Sequence, residues 1–145
     1  MIWDIRQPNP IRSVYGPLIC GDAIDLHQGF ILTGAHREKS QLQLWDFATG
    51  ELLKSINWDD GLPSEKPCMV YEAQFMKNES GLIIAGGSGA NEVKIFDASE
   101  EYKPIAQIRG LSRANFSVEF SKAGDMIATG GGDGVIRVFN IVQAD

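Results

Sequence analysis

The chain has 145 residues, 43% of them hydrophobic and 22% charged, which is enough for one ordinary globular core and includes no low-complexity tract. Its 13 basic and 19 acidic residues leave a net charge of −6, which argues against a general attraction to nucleic-acid phosphates or anionic lipid. No run approaches the roughly 20 apolar residues of a membrane span, and Met1 leads into a strand-like run without a basic segment and apolar signal core, so the expected location is cytoplasmic.

The first predicted elements are residues 2–5 (IWDI) and 10–16 (PIRSVYG). They read as the third and fourth strands of a four-strand unit, residues 1–16, whose first two strands are absent. A full unit follows at 17–58: GDAIDLH, then GFILTGAH after the His27-Gln28-Gly29 turn, SQLQLWDF, and ELLKSINW after the Ala48-Thr49-Gly50 turn. In SQLQLWDF the residues Leu42, Leu44 and Asp46 fall on one face and Gln41, Gln43 and Trp45 on the other, because successive strand side chains alternate. Apolar groups on both faces predict a sheet covered on both sides.

The next unit, 59–110, contains MVYEAQF, GLIIAGGS, EVKIFDA and PIAQIRG, and the last, 111–145, contains only three strands: NFSVEFS, DMIATGGG and VIRVFNI. The tight Gly132-Asp133-Gly134 loop suits a hairpin, since glycine tolerates positive φ. In each unit the third strand carries an aromatic residue followed by Asp or Asn. Trp3, Trp45, Phe96 and Phe139 are separated by 42, 51 and 43 residues, close to the ~40–45-residue period of a four-stranded propeller blade. Residues 57–67 (NWDDGLPSEKP) account for the long middle step.

With its Trp3-Asp4 and Trp45-Asp46 dipeptides, the phase of its turns and Asp133 in the last tight loop, the chain resembles the WD-repeat β-propeller family over nearly its whole length. The resemblance implies an all-β fold, a partial propeller of about three blades, each a four-stranded antiparallel sheet. It also implies that a terminal blade lacking its fourth strand is completed by another segment. The expectation is therefore a carboxyl-terminal portion of a larger ring completed by upstream blades, with a split propeller completed by a second chain and a short form that self-associates as the alternatives. The family's Gly-His pair is replaced by Gly110-Leu111 in the last unit and has no clear counterpart before the others. Packing is accordingly expected to replace much of the hydrogen-bond network that braces such blades, with Phe96 and Phe139 standing where Trp would.

A catalytic set is not legible. The glycine-rich runs at 85–91 and 129–134 lack the GxxxxGK[ST] pattern and precede strands, so they read as hairpin loops. His27 and His36 have no nucleophile signature to pair with. Asp22, Asp25, Asp59 and Asp60 lack ligand spacing and read as solvated charges. Cys20 and Cys68 form no CxxC pair and read as buried apolar fillers.

In propellers of this family the inter-blade loops line the partner-binding rim, which nominates protein-binding residues. Trp58 and Asp59 come from the long loop, with Trp58 either an anchor or a residue closing the fourth strand and packing inward. His36, Arg37 and Arg113 form a second, charged group. Arg6, in Trp3-Asp4-Ile5-Arg6, is similar to the end of the box by which some WD-repeat proteins dock on the adaptor of a cullin-type ubiquitin ligase. The expected function is a non-enzymatic protein-interaction scaffold, with ligase substrate receptor as the alternative. Its partners would be proteins; no cofactor, metal, nucleic acid, membrane or small-molecule substrate is expected.

Overall fold

A computed structural model describes residues 1–142, and they contain eleven β-strands and one short 3-10 turn, Ala98–Glu100. Four strands, β1 (Ile24–His27), β2 (Phe30–Gly34), β3 (Leu42–Asp46) and β4 (Leu52–Ile56), form sheet 1 as an antiparallel meander in chain order. Sheet 2 repeats this with β5 (Cys68–Phe75), β6 (Leu82–Gly89), β7 (Val93–Asp97) and β8 (Lys103–Ile108). Sheet 3 has β9 (Asn115–Phe120), β10 (Met126–Gly131) and β11 (Ile136–Asn140). The strands fall where β-branched and aromatic residues alternate with small ones, and Gly- and Asn-rich turns separate them.

The registers make the repeat exact at the level of single residues. Trp45 lies opposite Ile31, Phe96 opposite Ile83 and Phe139 opposite Ile127, so the three aromatics occupy one position. Two residues earlier, Gln43, Lys94 and Arg137 occupy another, opposite Thr33, Ala85 and Thr129.

The sheets stack through their first strands. Asp22, just before β1, bridges in parallel to Glu72 of β5, and the Val70 amide donates to the Ala35 carbonyl at 3.1 Å. This close approach requires Gly34, because a Cβ there would strike the Val70 and Ala23 side chains. One core, with Leu32, Leu42, Trp58, Val70 and Phe96, joins sheets 1 and 2; a second, with Ile84, Val93, Val118 and Ile127, joins sheets 2 and 3. As expected for sheets covered on both sides, four of the five residues of β3 and of β7 are buried. In contrast, β11 has no neighbour on its outer side among the described residues, and its Ile136 and Val138 are 81% and 62% exposed.

Residues 1–16 differ from expectation. No strand forms there; a single antiparallel bridge joins Ile2 to Arg12, and Trp3 and Ile5 are exposed. A two-strand ribbon with no further strand to pair against is marginal, which explains why the predicted pair shrinks to one bridge. From Arg12 onward the segment lies on sheet 1. Arg12 Nη1 donates to the Phe47 carbonyl at 3.1 Å, a Cβ on Gly16 would rest 3.4 Å from the Trp45 ring, and His36 N donates to Leu18 O at 2.8 Å. The predicted tail through Asp145 lies partly outside the described residues.

Candidate protein-binding rim

The β2–β3, β4–β5, β6–β7, β8–β9 and β10–β11 connections all emerge at one end of the stack, because Leu42 pairs with Ile56 and Cys68 with Gly89 in parallel-stacked meanders. Five of the six nominated residues, His36, Arg37, Trp58, Asp59 and Arg113, are on these connections. Arg6 is not. It lies between Ile2 and Arg12 on the segment that meets the sheets at Phe47, the opposite end. There Arg6 grips Asp4 with two bonds, Nε to Oδ1 at 2.8 Å and Nη2 to Oδ2 at 2.5 Å, which hold the Asp4 carboxyl below its ordinary range.

Of the two readings of Trp58 the inward-packing one holds, which removes it from the binding residues: it is 2% exposed and cannot serve as a surface anchor. Its ring packs on Phe96 with centroids 5.5 Å apart, and its Nε1 donates to Glu92 Oε1 at 2.5 Å. Glu92 also accepts from Ser64 Oγ and, at 2.6 Å, from Gln107 Nε2.

Beside it lies a group that sequence reasoning passed over. Lys94, fully buried, donates to the carbonyls of Trp58 (2.9 Å) and Leu62 (2.6 Å) and to Ser64 Oγ (2.9 Å). It pairs with Asp59 at 3.3 Å and Glu92 at 3.6 Å. A buried ammonium needs such a set, since an unpaired one is very costly. Burial raises the Asp59 carboxyl, but hydrogen bonds from Ser64 and Lys94 outweigh it and leave the pKa below the ordinary value. Asp59 is thus a strut of the loop, not the simple solvated charge read from the sequence. The long loop is strapped down from inside.

The same strand position acts in the other sheets. Gln43 accepts from Arg37 Nη2 at 2.7 Å, and Arg137 pairs with Asp133 at 2.7 Å. Arg37 also donates to the carbonyls of Gly16 (3.0 Å) and Ser40 (3.2 and 3.0 Å), so it braces the β2–β3 loop against the amino-terminal segment. A polar residue at one position of the third strand therefore fixes a rim loop in each sheet.

A partly exposed aromatic file also lies on the rim, among exposed charged side chains such as Glu38, Lys39 and Arg109. His36 packs on Tyr71 with ring centroids 4.9 Å apart, and Tyr71 meets Phe116 edge-on at 5.1 Å. Phe116 is 49% exposed and flanks Gly132, where exposed Arg113 also lies. Three sheets contribute to this row. Tyr71 and Phe116 carried no sequence signal beyond strand alternation.

A carboxylate group gathers on the first strands. Glu72, 4% exposed, faces Asp22, and Gln74 links it to Glu119, donating at 3.3 and 3.1 Å. Burial, then the charge of Asp22, pushes the Glu72 carboxyl up to about 7. Asp25 accepts from the Phe75 amide at 2.8 Å and from Lys77 at 2.5 Å, which ties β1 to β5. His27 Nε2 lies 3.3 Å from the Asn78 carbonyl.

Among the described residues, no group of three or more His, Cys, Asp or Glu is placed to hold a metal ion, and no helix is long and apolar enough to cross a membrane. Neither protein-family models nor curated proteins give a match to this sequence.

Proposed function

We propose that the three stacked meanders are consecutive blades of a β-propeller of the WD-repeat type, and that the chain is a non-enzymatic scaffold that binds another protein through this rim. The observation that carries the reading is the file His36–Tyr71–Phe116, with Phe116 49% exposed and His36 and Tyr71 partly buried beside it, drawn from three sheets and flanked by Arg113. Aromatic and arginine side chains on a rigid platform are what protein interfaces use as anchors. The loops around the file are held by Lys94, Arg37 and Arg137, so little ordering would be required on binding.

A photo-reactive residue at Phe116, and another at Thr49 on the opposite end, tests this in extract from the source cell. The expected result is a discrete protein adduct from the Phe116 probe that is lost in Arg113→Glu. Equal adducts from both probes, or none from either, would overturn it. A second reading rests on Arg6, whose side chain is 83% exposed: docking on a ubiquitin-ligase adaptor. Unchanged adaptor recovery with Arg6→Ala would dispose of that reading.

A further inference from the structure

The connections on the rim are not held alike. Arg37 holds β2–β3, Lys94 holds β4–β5, the Ala90 amide ties β6–β7 to the Pro67 carbonyl, and Arg137 with Asp133 holds β10–β11. In the β8–β9 connection, residues 109–113 make no backbone hydrogen bond among the described residues. Their sequence is Arg109-Gly110-Leu111-Ser112-Arg113, and Arg109, Ser112 and Arg113 are all exposed. Gly110, at a φ of +76°, has nothing within 4 Å of the place where a Cβ would point.

We propose that Ser112 is a phosphorylation site for a protein kinase that reads arginine three residues before its acceptor, and that the phosphate switches the rim. Such a kinase takes its acceptor as an extended segment and receives the guanidinium between carboxylates, where paired hydrogen bonds recognise arginine. A folded protein meets that demand only where a segment can leave its fold at little cost. Residues 109–113 break no backbone hydrogen bond in doing so, and glycine lets the kink between Arg109 and Leu111 straighten.

A second Arg-x-x-Ser in the chain supplies the comparison. Arg37-Glu38-Lys39-Ser40 has the same spacing, so the two motifs are equivalent as sequence. They differ in the fold. The Arg37 guanidinium is occupied by the carbonyls of Gly16 and Ser40 and by the Gln43 side chain. Ser40 itself sits at a φ of +52°, in the left-handed region that an extended acceptor does not use. Ser40 is therefore withheld although it is exposed, and Ser112 is presented.

The reaction is phosphoryl transfer from ATP. The bond from Ser112 Oγ to the γ-phosphorus forms as the bond from that phosphorus to the β,γ-bridging oxygen breaks; ADP leaves with the electron pair, and the hydroxyl proton passes to the kinase's catalytic carboxylate. The connection carries two arginines and no acidic residue. A phosphoserine brings a charge of about −1.5 to −2, which cancels theirs, and its oxygens compete for Arg113. This switch rests on the scaffold reading: a partner that uses Arg113 beside Phe116 would meet an anion in place of a cation and be released.

The test uses the folded full chain with magnesium ATP and a serine kinase of this class, and fragment mass spectrometry locates the phosphate. One phosphate per chain at Ser112 and none at Ser40 is expected. Transfer should slow by roughly ten- to hundredfold in Arg109→Ala, the worth of a paired contact to a charged group, and should be lost in Ser112→Ala. No phosphate at Ser112, or equal phosphate at Ser40, overturns the site. The phosphorylated and unmodified chains, each with the Phe116 probe, are then compared in extract with kinases and phosphatases inhibited, and the adduct should disappear from the phosphorylated form. An adduct that persists there overturns the switch and leaves the scaffold reading standing. An adduct absent from both forms withdraws the scaffold reading and the switch together, while Ser112 as acceptor stands or falls on the mass spectrum.

Discussion

Trp45 Nε1 donates to Thr33 Oγ1 at 2.9 Å, with both side chains buried. In sheet 3 the same two positions hold Phe139 and Thr129, and the Thr129 hydroxyl is buried with no partner. In sheet 2 they hold Phe96 and Ala85, so neither donor nor acceptor is present. The three sheets thus show one polar pair complete, one removed and one half removed. Losing one partner of a buried bond costs more than losing both, because the survivor stays desolvated. Thr33→Val is expected to destabilise the fold by about 1–3 kcal/mol and Thr129→Val to be neutral or stabilising. Urea denaturation at constant slope checks both; equal losses would show that Thr129 has a partner in solution.

Lys94→Met should be among the most damaging single changes. It leaves Glu92 as an unmatched buried carboxylate and frees the carbonyls of Trp58 and Leu62. A cost of about 3–5 kcal/mol follows for breaking a buried pair from one side. Adding Glu92→Gln should recover part of it. Sensitivity to a glutamate-specific protease at Glu65, in the strapped loop, should rise in the single variant; cleavage at the wild-type rate would mean that the loop is held by other contacts.

Glu72 makes stability pH-dependent. Its carboxyl is raised from 4.5 to about 7 in the folded chain, so between these values the folded state binds more protons than the unfolded one. The stabilisation is full below about 4.5 and is lost as pH rises through about 7. The whole span is worth on the order of 3 kcal/mol. Thermal melts from pH 5 to 8 should show the decline, and Glu72→Gln should flatten it. A wild-type profile that is already flat would place Glu72 in water.

Cys68 should be chemically silent. Burial, reinforced by the charge of Glu92, pushes its thiol up to about 12, so almost no thiolate exists at neutral pH. Iodoacetamide at pH 8 is expected to label Cys20, which is partly exposed, and to spare Cys68 until the chain unfolds. Labelling of both at equal rates would contradict the buried position.

Strand placement and the order of the sheets were legible because apolar alternation, glycine turns and an aromatic marker recur together. The equivalence of Trp45, Phe96 and Phe139 was legible for the same reason. What sequence could not supply was direction within the loops. Trp58 was readable as anchor or core, and only the presence of Glu92 and Lys94 beneath it decides for core. A signal for Lys94 did exist: Gln43, Lys94 and Arg137 recur two residues before each aromatic, on strands otherwise apolar on both faces. Tyr71 and Phe116 gave none, because their row forms only when separate sheets align. Residues 2–16 were overread as strands, since the pattern records what a segment would pair with and not whether the partner is there.

The strap on residues 57–67 has a consequence for how the molecule comes apart. The loop follows sheet 1 in the chain, yet the ammonium that holds it belongs to the third strand of sheet 2, and Trp58 at its start fills the core shared by both. Opening either sheet therefore strands a charge or an indole on the other, and the two should exchange their amide hydrogens as a single cooperative unit. Among the described residues sheet 3 has no such tie across the outer edge of β11 and should exchange earlier, so that the molecule breathes from the β11 side while sheets 1 and 2 keep time together.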